Sequence, residues 1–124
     1  MKKLPKISDA EWLVMNVVWK HPSCTAQEII DLLATSNDWG PATVKTLINR
    51  LLNKKALTFE KTGKLYHYRA AVNEEDCRIA ETKSLLDRVF DGSFSPMLAH
   101  FVKSKQLKPS EIAELEKILR KGKG

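Results

Sequence analysis

A chain of 124 residues fits one domain, or one small domain with an appendage, and 43% hydrophobic residues suffice for a packed core rather than disorder. No apolar run reaches the roughly 18 residues of a membrane span, and no signal-type hydrophobic region follows the basic opening Met1–Lys6, so a cytoplasmic protein is expected. The net charge of +6 is uneven: residues 1–71 carry eleven Lys/Arg against six Asp/Glu, and residues 72–124 ten against nine, which assigns any polyanion-binding task to the first part.

Ser8-Asp9-Ala10-Glu11 predicts a capping box, with Ser8 as N-cap and Glu11 closing the reciprocal bond. The helix behind it is apolar at eight of the ten positions from Ala10 to Trp19. Such a helix needs cover on several sides, at the centre of its domain or against a partner subunit. His21-Pro22 ends it. Thr25-Ala26-Gln27-Glu28 is a second capping box, opening a helix to about Leu33. After the polar loop Thr35–Asp38, Gly40-Pro41 starts a third helix, expected to run to about Lys55 with a core stripe of Val44, Leu47, Ile48 and Leu51. The period then falls to two. Leu57 and Phe59, then Tyr66 and Tyr68, flank Thr62-Gly63-Lys64 and predict a β-hairpin.

Asn73 is a further N-cap, with Asp76 at N3, for a helix to about Phe90 that Asp91-Gly92-Ser93 stops. Phe94, Met97, Leu98, Phe101 and Val102 mark another helix, and Ile112, Leu115 and Leu119 a last one over about Pro109–Arg120, before a frayed end at Lys121–Gly124. The expected fold is mainly α with a small β-hairpin. Residues 1–71 would form an N-terminal winged helix-turn-helix domain and residues 72–124 a three-helix dimerisation domain. Three short helices cannot bury all their stripes alone. A second copy is therefore expected on Ile79, Leu86, Val89, Phe90, Leu98, Phe101, Ile112, Leu115 and Leu119.

At about 100° per residue, the third helix turns Ala42, Thr46, Asn49, Arg50 and Asn53 away from its core stripe, with Thr43 and Lys45 at the flanks. Hydroxyl, amide and basic side chains on such a face suit a DNA major groove: threonine for a thymine methyl, asparagine for adenine, arginine for guanine or phosphate. Thr43 and Thr46 are the expected base-proximal residues; Lys45, Arg50, Lys54 and Lys55 are expected on phosphates, joined by Lys61 and Lys64 of the hairpin. The bland alternative for this face is solvation alone, and for Tyr66 and Tyr68 sheet packing.

Nothing points to catalysis. His21, His67 and His100 fall in different elements, and no metalloprotease, nucleophile-elbow or phosphate-loop motif occurs. Cys24 and Cys77 have no ligand spacing and read as incidental thiols of a reduced compartment. No catalytic residue, metal, cofactor or small-molecule substrate is expected.

Ile7-Ser8-Asp9-Ala10-Glu11-Trp12, Val14-Met15, Val18-Trp19, the run Trp39–Leu51, and Tyr66-His67-Tyr68 together resemble the penicillinase-repressor family of winged-helix transcriptional repressors. Leu98–Val102 and Glu111–Leu115 are similar to that family's end, so the resemblance spans almost the whole chain. It implies a homodimer on two-fold double-stranded operator DNA, repressing genes of β-lactam resistance or copper handling. In the β-lactam branch it implies relief by a membrane-sensor-linked protease that cuts the C-terminal domain. The matching bond here is His100-Phe101, where known members have Asn-Phe. Ala42 replaces a frequent lysine, Gly40 a serine or threonine, and Ala56 a glycine, differences that bear on operator choice and entry to the wing. The copper branch's C-terminal Cys-x-Cys pair is absent, since no cysteine follows Cys77. The competing reading is a winged helix used as a protein-interaction module, without sequence-specific DNA binding.

Overall fold

The computed structural model describes residues 4–122. Met1–Lys3 of the basic opening and Lys123-Gly124 of the expected frayed end lie outside them. The elements follow the order α1 (Asp9–Lys20), α2 (Ala26–Ala34), α3 (Pro41–Asn53), β1 (Leu57–Thr62), β2 (Leu65–Ala70), α4 (Glu74–Val89), α5 (Phe94–Lys103) and α6 (Pro109–Gly122). Lys121 and Gly122, expected in the tail, are the last turn of α6. Three helices followed by a two-stranded antiparallel hairpin make a winged helix.

Both N-terminal capping boxes form. Ser8 accepts from the Glu11 amide at 3.3 Å while the Glu11 carboxylate accepts from the Ser8 amide at 2.9 Å. Thr25 and Glu28 repeat the exchange at 3.2 and 2.9 Å, and the Asn73 side chain takes the Asp76 amide at 3.0 Å. The chain divides into two compact units, residues 1–80 and 81–124, with the division inside α4. In the first unit α1 lies at the centre, against α2, α3 and β2, which is why it is apolar on nearly every side. Val14, Met15 and Val18 of α1 meet Ile29, Ile30 and Leu33 of α2 and Val44, Leu47, Ile48 and Leu51 of α3 in one core that Leu57 and Tyr68 close from the hairpin. The Trp19 indole donates to the Val72 carbonyl at 3.2 Å, tying α1 to the segment that enters α4. Cutting one of these fully buried aliphatics to alanine costs about 2–5 kcal/mol, so the core rather than helix propensity holds α3 in place.

α3 ends in a Schellman motif. Ala56 N–H bonds the Leu51 carbonyl at 2.9 Å and Lys55 N–H the Leu52 carbonyl at 3.0 Å, with Lys55 in the left-handed region at φ 65°. Ala56 is fully buried and its carbonyl accepts from Ala71 N–H at 2.8 Å, closing the base of the hairpin. The β1–β2 register pairs Leu57 with Ala70, Phe59 with Tyr68 and Lys61 with Tyr66, and Gly63 supplies the positive φ of the turn. Cys24 adds a single bridge on the free side of β2, exchanging backbone bonds with Tyr68 at 3.2 and 2.7 Å.

The second unit is different in kind. α5 and α6 bury no side chain, and Leu86 is the one buried residue among those described in 81–124. Leu85, Val89, Phe94, Phe101, Val102, Ile118 and Leu119 are all exposed.

Candidate nucleic-acid interface

The buried stripe of α3 fixes what the rest of the helix presents. With Val44, Leu47, Ile48 and Leu51 in the core, Ala42, Thr43, Lys45, Thr46, Asn49 and Arg50 are exposed. The exposed row carries no acid. Thr46 donates its hydroxyl hydrogen to the Ala42 carbonyl at 2.9 Å, so it turns a methyl and an acceptor lone pair outward. Gly40 is an N-cap without a side-chain cap, and a Cβ there would meet nothing within 4 Å, so a serine or threonine would fit without clash.

One expected phosphate contact is turned elsewhere. Lys54, at the C-cap of α3, places its ammonium 2.5 Å from the Glu11 carboxylate and 2.8 Å from the Lys6 carbonyl. Glu11 is only 1% exposed, and a buried carboxylate without a cation is costly, so Lys54 is held as a staple between α3 and the start of α1. Burial pushes the Glu11 carboxyl up. The Lys54 hydrogen bond, the Ser8 amide and the Lys54 charge outweigh it and hold the group below the ordinary glutamate value.

The hairpin sets Lys61 and Lys64 in solvent near its tip. Lys61 lies 5.7 Å from the Tyr66 ring centroid, and Tyr66 stacks on Phe59 at 4.8 Å. The hairpin's acid, Glu60, is on the opposite face, paired with Arg69 at 3.3 Å. Tyr68 is the sheet-packing residue expected; Tyr66 is 42% exposed although stacked.

The other expected positions separate into two groups. Ile79, Val89, Phe101 and Leu119 are exposed and Phe90, Leu98, Ile112 and Leu115 half-buried, all available to a partner. Leu86 is not: at 2% exposed it is covered within its own chain, and it leaves the candidate dimer set. Leu85 and Ile118, which the periodic stripes passed over, are exposed and join it. The His100-Phe101 bond lies inside α5, with the His100 carbonyl accepting from the Ser104 amide at 3.0 Å and hydroxyl at 2.8 Å. Among the described residues no group of three or more His, Cys, Asp or Glu could hold a metal, and no helix is long and apolar enough to cross a membrane. Cys24 and Cys77 are free and buried, and burial raises both thiols, which makes them poor nucleophiles.

This geometry has close counterparts. The family model described as penicillinase repressor matches residues 7–121. The chain belongs to the penicillinase-repressor family. The penicillinase repressor of Bacillus licheniformis is 39% identical over 123 residues, covering 99% of this chain and 96% of that one. Methicillin resistance regulatory protein MecI of Staphylococcus aureus (strain N315) is 36% identical over 119 residues, covering 96% and 97%. Among solved structures, monomeric BlaI of Bacillus licheniformis in complex with the blaP half-operator is 43% identical, with a TM-score of 0.54 over 61% of this chain and 93% of that one. Oxidised MarR from E. coli, at 18% identity and a TM-score of 0.52 over 96% of this chain and 77% of that one, shares the fold. The penicillinase-repressor family is one of transcriptional repressors, and this member carries a helix-turn-helix followed by a wing.

Proposed function

We propose that this chain is a homodimeric transcriptional repressor that acts in the cytoplasm by occupying pseudo-palindromic operator DNA, one α3 in each half-site. The observation that carries the reading is the exposed, acid-free row Ala42–Thr43–Lys45–Thr46–Asn49–Arg50 beside a wing that presents Lys61 and Lys64. Thr43 and Thr46 meet base edges near the start of α3, while Lys45, Arg50, Lys61 and Lys64 meet phosphates. The BlaI relative solved in complex with the blaP half-operator, 43% identical where it covers 61% of this chain, supports DNA binding. The regulated genes are of the β-lactam-resistance type, as the names of the penicillinase and methicillin-resistance relatives suggest.

The uncovered apolar faces of α4, α5 and α6 support the dimer. Proteolytic relief at His100-Phe101, by a protease linked to a membrane sensor, is the matching mode of induction. α5 buries no side chain, so unwinding it to admit a protease costs little of the core. Intact chain recovered from fully induced cells would remove that step.

Selection from a random pool of duplexes tests the reading. The expected winners contain two inverted half-sites centred about one helical turn, or a multiple of it, apart. Lone half-sites would contradict the dimer, and no enrichment would leave the winged helix as a protein-interaction module.

A further inference from the structure

The first unit holds a recess of about 160 Å³ between the start of α2, the middle of α3 and β2, walled by Ala26, Lys45, Ile48, Asn49 and Tyr68. No carboxylate is among these walls. Ala26 is the first residue of α2, where a helix leaves its amides without intrahelical acceptors; the Thr25–Glu28 box uses the amides of Thr25 and Glu28 and not that of Ala26. Tyr68 is the unusual member. It is 8% exposed, its backbone is fixed by two bonds to Cys24 and its ring rests on Phe59 at 6.4 Å, while its hydroxyl reaches solvent and makes no hydrogen bond among the described residues. Here the recess is the space it lines. Burial also raises the phenol above its ordinary value, so the group is a donor at neutral pH.

The sheet face that carries Tyr68 continues along the wing. Because residues paired across a sheet share a face, Tyr68 and Phe59, then Tyr66 and Lys61, run from the recess to the tip, while Glu60, His67 and Arg69 occupy the other side. The row on the recess side carries one charge, and it is positive.

We propose that this recess is a phosphodiester pocket, in which one phosphate of the bound DNA strand is held by the Lys45 ammonium, the Asn49 amide and the Tyr68 hydroxyl. The inference rests on the DNA-binding reading above, gives Lys45 its particular phosphate and moves Asn49 from the groove to the backbone. The pocket links the reading helix to the wing through one phosphate, so it sets the depth and tilt of α3 and carries no sequence information itself.

The test uses the duplex recovered by selection with the wild-type chain, a shuffled duplex of the same length, and two variants. Tyr68→Phe keeps the ring on Phe59 and removes only the hydroxyl; Lys45→Met alters an exposed position, and thermal melting checks that both fold. Tyr68→Phe is expected to weaken binding to both duplexes by about tenfold or more, with the salt dependence unchanged because the lost group is neutral. Lys45→Met is expected to reduce the slope of log affinity against log salt by about one. Replacing phosphates one at a time by neutral methylphosphonates should reveal one position per half-site whose penalty in the wild type shrinks in Tyr68→Phe, the remainder being the share of Lys45 and Asn49. Folded Tyr68→Phe that binds like the wild type, or a scan in which no penalty shrinks in that variant, overturns the pocket while leaving α3 in its groove. A wild-type chain that binds no duplex overturns the pocket and the parent reading together.

Discussion

Arg50 and Lys54 sit four residues apart on α3, both basic, and the fold gives them opposite tasks. Arg50 is exposed on the outer row; Lys54 is drawn back to Glu11, 43 residues away in sequence. Arg50→Ala is expected to weaken operator binding by about 1–3 kcal/mol with little change in stability, as read by titration and urea unfolding. Glu11 and Lys54 act on stability instead. The folded Glu11 carboxyl is held below its ordinary value of 4.5. Its contribution is therefore fully present above about pH 4.5 and lost as pH falls through the depressed value. Glu11→Gln should lower stability at neutral pH by about 1–3 kcal/mol, a figure kept small because Lys54 is partly solvated, and should flatten that acid limb of the stability profile. At this scale the capping boxes were legible, since each joins residues three apart. The Lys54 staple and the Tyr68 recess were not, since both depend on which distant segments the core brings together.

The elements owe their ends to short-range chemistry and their placement to burial. α1 could be read as central from its apolar circumference, and the hairpin from its period of two around Gly63. The reading erred at the C-terminal ends, where helix α3 was expected to reach Lys55. That residue instead takes the left-handed position of a Schellman cap, which a lysine in the sequence does not signal. Glycine is the residue that position favours. Lys55→Gly should therefore raise stability by about 0.5–1 kcal/mol, measured by denaturant unfolding. A loss would mean that the Lys55 side chain makes a contact worth more than the backbone relief. Lys105 repeats the arrangement after α5, at φ 57° with Gln106 N–H on the Phe101 carbonyl at 2.9 Å.

For the whole molecule, the contrast between the two units is the main physical fact. The first encloses a core of α1, α2, α3 and the hairpin; the second shows apolar side chains on three helices with Leu86 alone buried among its described residues. That the apolar stripes exceed what three short helices can cover was legible in the sequence, and most of their members are not buried in the structure. Which members stay uncovered was not: Leu86 is buried within its own chain, and Leu85 and Ile118, which fall off the simplest period, are exposed. Leu119, 62% exposed, is a sharp probe. Leu119→Lys should shift the chain toward monomer in sedimentation and weaken binding to a two-half-site duplex far more than to a single half-site, because the second half-site then gains nothing from tethering. Equal loss on both duplexes would place Leu119 outside the interface.

The most direct measurement is a fluorescence-anisotropy titration of the wild-type chain against its selected duplex and a shuffled one, at two salt concentrations. The expected result is tight binding to the selected duplex, weaker binding to the shuffled one, and a steep loss of both with added salt, with two chains per selected duplex. Equal, weak binding to the two duplexes would contradict sequence reading by α3 and leave the outer face of that helix without its assigned role.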